Sequence, residues 1–426
     1  MRKLAVLFPG QGSQYVGMGR WLHDNYASAR VVFAEAGDTL GYDMAALVFE
    51  GAEEQLAKTE FTQPALLTAS YAAFAVYMEE IGVPPAYAAG HSLGEFSALA
   101  ASGALSLRDA LRLVQTRGRL MQEAAAEGVG AMCAAIGASP EQADEACRAA
   151  AAATGLQVVV SNYNSADQLV LSGYRQAVEH ASGLLADQGT RTTFLRVSAP
   201  FHSPLMQPAA ERFREELAAC SFGSFKWPVL SNVTGEPYRQ PQDALELLTT
   251  QLTAPVRWLD AMRYLESSGV SLTAEIGAKT VLTHLMPACA GSIRAFPFDS
   301  MDQLERLRRE LAAEIADEKG KRAVRNVVTK CLTAAVSTRN RNWDNAEYER
   351  GVLEPYREIA AMQEQLDSLG EGAQPTEAQM RRALALLKRI LDTKLVPEQE
   401  QLRRLRDIVS DTRTEALFPD YWNPGA

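Results

Sequence analysis

The amino-acid sequence predicts an α/β fold with three parts: a helix-covered parallel sheet, a small inserted subdomain and a C-terminal helical appendage. Three observations lead to this prediction. A short, fully apolar run, residues 4–8, is typical of a strand buried on both faces of a sheet. Strands alternate with long helical patterns over residues 1–127, as they do in parallel sheets. Over residues 128–197 the alternation of strands with long helices gives way to shorter strands and helices, and beyond residue 300 the sequence is charged and helix-forming.

The composition is that of an ordinary globular protein. The chain has 426 residues, 47% of them hydrophobic and 22% charged. At roughly 100–200 residues per domain, this length suffices for two or three domains with a large core. No run of about 18 apolar residues suggests a membrane span. The first strand meets Pro9 and Gly10 too soon for a secretory signal, so we expect a cytoplasmic protein.

Charge and cysteine usage argue against several classes of partner. The formal net charge of −10 argues against general affinity for nucleic acid or anionic membranes, because both select basic surfaces. The five cysteines are scattered and include no C-x-x-C pair, so neither a disulfide framework nor a zinc site is expected. We therefore expect no metal.

The run Gly90-His91-Ser92-Leu93-Gly94 matches the nucleophile elbow, G-x-S-x-G. In an elbow a strand reverses sharply into a helix, so small residues flank the serine and its hydroxyl is exposed at the turn. An apolar run, 86–89, precedes the motif, and a helix-prone run, 95–100, follows it. The motif predicts a hydrolase-like core with Ser92 as nucleophile, although so short a pattern also occurs by chance.

The first predicted strand ends in a loop, 9–14, whose two glycines allow a ligand to approach the backbone closely. The alternatives are a plain turn and a phosphate cradle. The cradle is disfavoured because the loop has neither G-x-G-x-x-G nor a Walker lysine. Further on, a helix is predicted from about Ala65 to Glu80, with Pro64 in its first turn, where helices tolerate proline best.

Residues 128–197 follow the order βαββαβ, which suits a small ferredoxin-like subdomain. The predicted strands are 131–136, 157–163, 168–173 and 192–197, and the predicted helices are 140–153 and 176–188. We therefore divide the chain into a hydrolase-like core of residues 1–127 and 198–300, the insert 128–197, and a helical extension 301–426. Within the second part of the core, we predict a strand at 227–233, a loop at 251–256 and a strand-to-helix turn at 275–279.

The C-terminal extension contains two apolar stripes of the kind found on amphipathic helices. The stripes are Val324, Val327, Val328, Cys331, Leu332 and Ala335, and then Leu384, Leu387, Ile390 and Leu391. The second follows a capping-box start at Thr376, and Asp344 to Glu347 predicts a cap of the same type. A flexible link is predicted near residues 370–375. We find no catalytic pattern in this segment.

A serine becomes a nucleophile when a base takes its proton and donors stabilise the oxyanion that forms. Of the five histidines, three lie in predicted helices, and the ring of His91 would point away from the serine. His202, in a loop bounded by prolines, is therefore the preferred base; the alternative is a hydrogen-bonded loop histidine. The oxyanion donors expected of an elbow are the main-chain N–H of Leu93 and one from a loop after another strand, here Gln11.

Arg117 lies on the predicted helix that follows the elbow helix, among apolar residues. An arginine in this position either pairs with an acid of the protein or presents its planar fork to a substrate carboxylate. The sequence alone does not decide between the two.

Several motifs occur together in one order, and through them the sequence resembles the malonyl-CoA:acyl-carrier-protein transacylases, including the stand-alone acyltransferases that serve polyketide synthases. The motifs span about residues 1–300 and are specific as a set. They are Phe8-Pro9-Gly10-Gln11-Gly12-Ser13-Gln14, Thr62-Gln63-Pro64-Ala65, Gly90-His91-Ser92-Leu93-Gly94-Glu95, Arg117-Gly118-Arg119-Leu120-Met121, Pro200-Phe201-His202-Ser203 and Gln251-Leu252-Thr253-Ala254-Pro255-Val256. Family members usually end near residue 300, so the resemblance does not extend to the C-terminal segment.

The resemblance implies transfer of a malonyl group from malonyl-CoA to the phosphopantetheine thiol of a holo acyl carrier protein, for fatty-acid or polyketide synthesis. It also implies that the protein itself holds no cofactor, because the phosphopantetheine is carried by the partner. Ser92 would attack the thioester with His202 as general base. The main-chain N–H groups of Gln11 and Leu93 would bind the oxyanion. The main-chain carbonyl of Gln251 would orient the imidazole, in place of the acid of a triad.

The resemblance also assigns residues around the acyl group. Arg117 would bind the malonyl carboxylate through two parallel hydrogen bonds. Phe201 would occupy the space of an α-methyl group and so favour malonyl over methylmalonyl. Gln63 and His91 are further residues expected at the substrate site.

Two other functions remain open. A hydrolase of the same fold would clear stalled acyl groups from carrier proteins, although the resemblance implies that such relatives lack the arginine at position 117. A scaffold would use the extension to recruit a synthase module. The basic clusters at 306–309, 319–322 and 403–406 would dock an acidic carrier protein or a synthase module, or are solvated helix faces. The sequence leaves the pathway, the carrier protein and the oligomeric state open, with a monomer as the expectation.

Overall fold

The computed structural model describes residues 2–126, 128–195, 197, 199–323, 326–338, 340–342, 344–369, 373–412 and 414–422. The chain forms two compact units, Met1–Ala312 and Ala313–Ala426. Within the described ranges, no helix is both long enough and apolar enough to cross a membrane.

The first unit contains one parallel and one antiparallel sheet. Its strands are β1 Lys3–Phe8, β2 Tyr87–Gly90, β3 Gly130–Ile136, β4 Val158–Tyr163, β5 Gln168–Tyr174, β6 Arg191–Phe194, β7 Val270–Ile276 and β8 Arg294–Phe298. Its helices are α1 Arg20–Asn25, α2 Ala27–Leu40, α3 Met44–Glu50, α4 Glu53–Leu56, α5 Thr59–Glu80, α6 Gly94–Ser102, α7 Leu107–Ala126, α8 Pro140–Thr154, α9 Arg175–Asp187, α10 Gln207–Ala218, α11 Asp243–Gln251, α12 Trp258–Ser267, α13 Val281–Cys289 and α14 Met301–Glu310.

The parallel sheet has the strand order β2-β1-β7-β8. β1 pairs in parallel with β2 on one side and β7 on the other, and its apolar residues from Leu4 to Phe8 are buried. Burial on both faces explains why this strand is a continuous apolar run. Because parallel strands end at the same edge of a sheet, the turns after Phe8, Gly90 and Ile276 share that edge.

The antiparallel sheet has the order β4-β5-β3-β6 and is built from the predicted βαββαβ sequence of elements. Helices α8 and α9 contribute an alanine-rich face to its core, and Ser139 starts α8 with a capping box. The predicted α/β fold with an inserted ferredoxin-like subdomain is therefore confirmed. Strand β6 spans Arg191–Phe194 rather than the predicted 192–197, although the N–H of Leu195 still donates to the Met132 carbonyl of β3. Arg196 and Ser198, at the predicted end of the insert, lie outside the described residues.

The predicted start of α5 was wrong by six residues. The helix begins at Thr59 and contains Pro64 in its interior, a position that costs about 3 kcal/mol in an isolated helix. Its early turns are held instead by local bonds: the Thr62 hydroxyl donates to the main-chain carbonyls of Leu56 and Lys58. Most of its residues from Thr59 to Tyr77 are buried, so tertiary packing outweighs the local preference.

The predicted strand at 227–233 was also wrong. Only Val229 and Leu230 form isolated bridges, Val229 beside Ala88 at the edge of the parallel sheet. Pro228 has no N–H to donate to a ladder, and the chain turns back at Ser231, whose N–H donates to the Glu236 carbonyl. The turn places Asn232 beside the elbow rather than in a strand.

The second unit is helical. Its helices are α15 Ala312–Ala323, α16 Val327–Ser337, α17 Asn345–Tyr348, α18 Glu354–Ser368, α19 Glu377–Thr393, α20 Glu398–Asp411 and α21 Pro419–Trp422, with a π-helical turn, Glu349–Leu353, before α18. Both predicted stripes contribute to one buried core, although Val324 lies outside the described residues, as do 370–372 of the predicted link. The capping box at Thr376 is present, and Asp344 Oδ1 accepts the N–H of Glu347.

Candidate active site

The elbow is a tight turn between β2 and α6. Ser92 has a φ of 51°, a left-handed conformation that costs a non-glycine residue free energy and is typical of functional turns. A Cβ at Gly90 would overlap the main chain of Gly94, and one at Gly94 would overlap the carbonyl of Phe8. The two glycines of the motif are therefore required by close main-chain packing at the end of β1 and β2.

Ser92 and His202 form a hydrogen-bonded pair. The distance from Ser92 Oγ to His202 Nε2 is 2.8 Å, and His202 Nδ1 lies 2.7 Å from the main-chain carbonyl oxygen of Gln251. A carbonyl oxygen can only accept, so Nδ1 carries the hydrogen and the lone pair of Nε2 faces the serine hydroxyl. The imidazole is thus in the tautomer that can take the serine proton.

The surroundings keep this imidazole neutral. His202 is 4% exposed, and burial, together with the positive charge of Arg117, lowers its pKa to about 3. At neutral pH the ring is therefore unprotonated and free to accept a proton.

Arg117 is buried beside the pair and held by neutral oxygens. Its guanidinium donates to Gln63 Oε1 at 2.9 Å, to Gln251 Oε1 at 2.9 Å and to Ser92 Oγ at 3.1 Å. The group also lies over the ring of Phe96, 5.5 Å from its centroid. Burial lowers its pKa to about 10, so it keeps its charge at neutral pH.

No carboxylate of the described residues lies within ion-pair distance of Arg117, and its Nε–H is buried without a partner among them. Of the two alternatives for this residue, pairing with an acid of the protein is therefore not observed in the described part of the chain. The result is a buried positive charge that contacts the serine oxygen and retains an unused donor.

Sequence reasoning gave no role to Glu95, which lies at the centre of the hydrogen-bond network. Its Oε2 accepts from Gln251 Nε2 at 2.5 Å and from the N–H of Asn232 at 3.2 Å, and its Oε1 accepts from the Tyr238 hydroxyl. Burial raises its pKa to about 7. A signal was available: an acid inside the otherwise apolar helix that follows the elbow.

Asn232 was also missed. Its Oδ1 accepts the N–H of Ser92 at 2.6 Å, and its Nδ2 donates to the Gly90 carbonyl at 2.7 Å. The side chain therefore clamps both sides of the elbow. No local pattern marks it, because it lies 140 residues from the serine in the chain.

The predicted oxyanion donors lie on the turns that meet at the sheet edge. The N–H of His91 donates to the Phe8 carbonyl at 3.0 Å, and a Cβ at Gly10 would overlap the carbonyl of His91. Gln11 is the next residue after Gly10, so its main chain is close to the elbow. The main-chain N–H groups of Gln11 and Leu93 have no acceptor among the described residues.

The remaining predicted residues make contacts with the protein. Gln63 binds Arg117, and Phe201, directly before His202, is buried. His91 Nε2 lies 2.8 Å from Asn164 Oδ1, and its ring lies 5.4 Å from that of Trp258. Desolvation lowers the pKa of His91.

An α/β core with a serine–histidine pair on an elbow defines the class of acyl-transferring or hydrolysing enzymes. The family model for the acyl transferase domain matches residues 6–334. Malonyl CoA-acyl carrier protein transacylase of Bacillus subtilis is 36% identical over 408 residues, which cover 95% of this chain and 100% of that protein.

Solved structures agree. The malonyl CoA-acyl carrier protein transacylase of Coxiella burnetii has a TM-score of 0.71 and 38% identity, and the match covers 73% of this chain and 98% of that one. A malonyl-transacylase in complex with a type II PKS acyl-carrier protein has a TM-score of 0.70 and 40% identity, covering 72% and 99%. The chain belongs to the malonyl CoA-acyl carrier protein transacylase family of acyl transferases.

The comparisons include relatives of two lengths. The two solved structures are matched over 98–99% of their own length but only 72–73% of this chain, as expected of family members that end near residue 300. The Bacillus subtilis match covers 95% of this chain and so includes most of residues 301–426. The extension is therefore shared with at least one family member.

Proposed function

We propose that this protein transfers malonyl from malonyl-CoA to the phosphopantetheine thiol of a holo acyl carrier protein, with Ser92 as the transient carrier of the acyl group. One observation above all supports the assignment of the site. The nucleophile oxygen lies between a neutral imidazole, 2.8 Å away, and a buried guanidinium, 3.1 Å away. The first group supplies the base, and the second supplies a site for an acyl group that bears a distal carboxylate.

In the first half-reaction, Ser92 Oγ attacks the thioester carbonyl as its proton passes to His202 Nε2. The N–H groups of Gln11 and Leu93 donate to the oxyanion of the tetrahedral intermediate. The carbon–sulfur bond then breaks, the sulfur takes the proton from His202, and coenzyme A leaves as a thiol. The product is a malonyl ester of Ser92.

In the second half-reaction the carrier-protein thiol replaces coenzyme A. Its proton passes to His202 as its sulfur attacks the ester, and collapse of the intermediate returns the proton to Ser92 Oγ. The cycle is ping-pong, and the same base serves both halves. The Gln251 carbonyl, by accepting the Nδ1 hydrogen at 2.7 Å, stabilises the imidazolium in each intermediate.

Arg117 selects the acyl group. Without substrate, the Nε–H of Arg117 has no partner among the described residues, and an Nη–H donates to Ser92 Oγ. These donors are available to form two hydrogen bonds with a malonyl carboxylate. Such a fork sets the reach between the carboxylate and the thioester carbon. Phe201 adds a steric preference against an α-methyl group, worth about 1–3 kcal/mol, so malonyl is preferred over methylmalonyl.

A carrier-dependence assay tests the transfer. The protein is incubated with labelled malonyl-CoA, with and without holo carrier protein, and free malonate and malonyl carrier are measured. We expect malonyl carrier as the main product and slow release of malonate. Rapid malonate release with little acylated carrier would instead support the hydrolase, which the buried Arg117 disfavours.

A scaffold role for the helical extension has less support. Among the basic residues proposed for docking, Arg308 pairs with Glu80 and Glu305, and Arg404 pairs with Glu400; the side chains of residues 319–322 lie outside the described part. Deletion of residues 313–426, at the boundary between the units, tests it. Unchanged carrier kinetics and unchanged association with a synthase module would leave the extension without a docking role.

A further inference from the structure

The side chain of Gln251 lies between a cation and a carboxylate that do not touch. Its Oε1 accepts from Arg117 at 2.9 Å, and its Nε2 donates to Glu95 Oε2 at 2.5 Å and to the main-chain carbonyl of Ser92 at 3.0 Å. A guanidinium only donates, whereas a carbonyl and an ionised carboxylate only accept. The carboxamide therefore has one orientation that satisfies all three neighbours.

The same residue also reaches the base. Gln251 is the last residue of α11, and its main-chain carbonyl accepts the Nδ1 hydrogen of His202 at 2.7 Å. One residue thus contacts both the group proposed to bind the malonyl carboxylate and the group proposed to move the proton. Its side chain makes the contact with Arg117, whereas its main chain makes the contact with His202.

Glu95 is buried, and its carboxylate is bound by several hydrogen bonds. It is 0% exposed, and three donors from outside its own helix converge on its carboxylate: Gln251 Nε2, the Asn232 N–H and the Tyr238 hydroxyl. Among the described residues no cation lies within ion-pair distance of it. The charge that balances it is that of Arg117, on the far side of the Gln251 carboxamide.

We propose that Glu95 is a positioning residue for acyl-group selection: it fixes the Gln251 carboxamide so that Oε1 holds Arg117 where a malonyl carboxylate binds. This inference rests on the proposed function, because it assigns Glu95 to the carboxylate-binding arm of that site. A purely structural Glu95 would affect folding stability and all acyl groups alike. A positioning Glu95 affects malonyl more than acetyl.

Glu95→Gln is the direct test. An amide at position 95 keeps the shape of the carboxylate but removes its charge and one of its two acceptor oxygens. It can no longer accept from Tyr238 on one side and from Gln251 and Asn232 on the other, so the hold on the Gln251 carboxamide is weakened. We expect kcat/KM for malonyl-CoA to fall about tenfold or more, as misplaced binding groups commonly cause, and kcat/KM for acetyl-CoA to fall much less. An unchanged malonyl-to-acetyl ratio would overturn the proposal.

A double-mutant cycle tests the route through Gln251. Gln251→Met removes the carboxamide but keeps the main-chain carbonyl that His202 needs. We expect it to lower the malonyl-to-acetyl ratio by itself, and Glu95→Gln to add little in its background, because two residues acting through one contact are not additive. Additive effects of the two substitutions would contradict a role of Glu95 that acts through Gln251. A Gln251→Met protein with an unchanged malonyl-to-acetyl ratio would contradict it as well, even if Glu95→Gln fails to fold.

Glu275→Gln is the matched control. Glu275 is 1% exposed, and its carboxylate accepts from Leu282 and Thr283, away from Gln251. It should lower the melting temperature and leave the ratio unchanged. The intact mass of the wild type after incubation with malonyl-CoA distinguishes a failure of the proposed function from a failure of the proposed role of Glu95. A wild type without a malonyl adduct refutes the proposed function, whereas a normal adduct with an unchanged ratio in Glu95→Gln refutes only the role of Glu95.

Discussion

Two strand-to-helix turns share one edge of the parallel sheet, the turn after β2 and the turn after β7, and the first carries the proposed catalytic serine. Each contains a non-glycine residue with positive φ, Ser92 at 51° and Lys279 at 63°. Each has a buried glutamate, Glu95 or Glu275. Turn geometry and a buried acid are therefore not what distinguishes them.

The difference lies in where the donors come from. Glu275 accepts from Leu282 and Thr283, seven and eight residues further along the chain, and so caps the helix that follows it. Glu95 accepts from Gln251, more than 150 residues away. The β7 turn satisfies its acid locally, whereas the β2 turn uses its acid to bind a remote segment, and that segment brings the Gln251 carbonyl to His202. Remote partners, rather than the geometry of the turn, therefore distinguish the elbow from the β7 turn.

The largest expected effect comes from removing the proposed nucleophile Ser92, for which the β7 turn has no counterpart. Ser92→Ala should abolish the acyl adduct seen by intact mass after incubation with malonyl-CoA, and should lower transfer by about 10³-fold or more. The melting temperature should stay close to that of the wild type, which serves as the folding control. A persistent adduct would identify another nucleophile.

The next effect separates substrates. Arg117→Ala removes two or more charge-assisted hydrogen bonds to the malonyl carboxylate, each worth about 1.5–3 kcal/mol, so kcat/KM for malonyl-CoA should fall about 100-fold or more. Transfer from acetyl-CoA should fall far less. Arg119→Ala is the matched control, because that arginine is exposed and pairs with Glu123. Equal losses with both thioesters would exclude a carboxylate-binding role.

A smaller effect concerns pH. Protonated His202 cannot act as base, so the rate is lost as pH falls through its pKa, which burial and Arg117 hold at about 3. Rates of acetyl-enzyme formation should therefore be nearly flat from about pH 5 to 8 in the wild type. Removal of the Arg117 charge favours the imidazolium and raises the pKa, so in Arg117→Ala the loss should occur at higher pH. Coincident profiles would show that the arginine does not set the pKa of the base.

The smallest effect on catalysis is expected at the second turn. Glu275→Gln weakens charge-assisted bonds to the start of α13 and should reduce the free energy of unfolding by about 1–3 kcal/mol. At a temperature well below the melting point, the variant should transfer malonyl at the wild-type steady-state rate. Thermal unfolding and kinetics measured on the same preparation test both expectations. A loss of transfer at full folding would mean that the two turns are coupled.

The sequence allowed prediction of those site residues that belong to a local motif or to a residue type that is rare in the chain. The elbow could be predicted because only small residues fit at Gly90 and Gly94, and His202 because so few histidines compete. The position of Arg117 was predicted, but not its environment, since Gln63 and Gln251 reach it from distant helices. Asn232 carried no signal at all.

The errors have the same origin. The stretch 227–233 has the composition of a strand, but a strand also needs a partner along its length, and Pro228 and the turn at Ser231 leave it only isolated bridges. Pro64 predicted a helix start nearby, but α5 begins at Thr59, because tertiary packing buries most of its residues. In both cases a tertiary contact decided what the local sequence left undetermined.

The glycine contacts at the sheet edge limit how this enzyme can be redesigned. Gly94 packs on the Phe8 carbonyl and Gly10 on the His91 carbonyl, so the segment that carries the nucleophile and the segment that carries Gln11 are wedged together without side chains between them. Neither can be shifted to make room for a bulkier acyl group without moving the other. Laboratory evolution toward branched acyl groups should therefore accumulate changes around Phe201, the residue proposed to disfavour an α-methyl group, and spare the elbow.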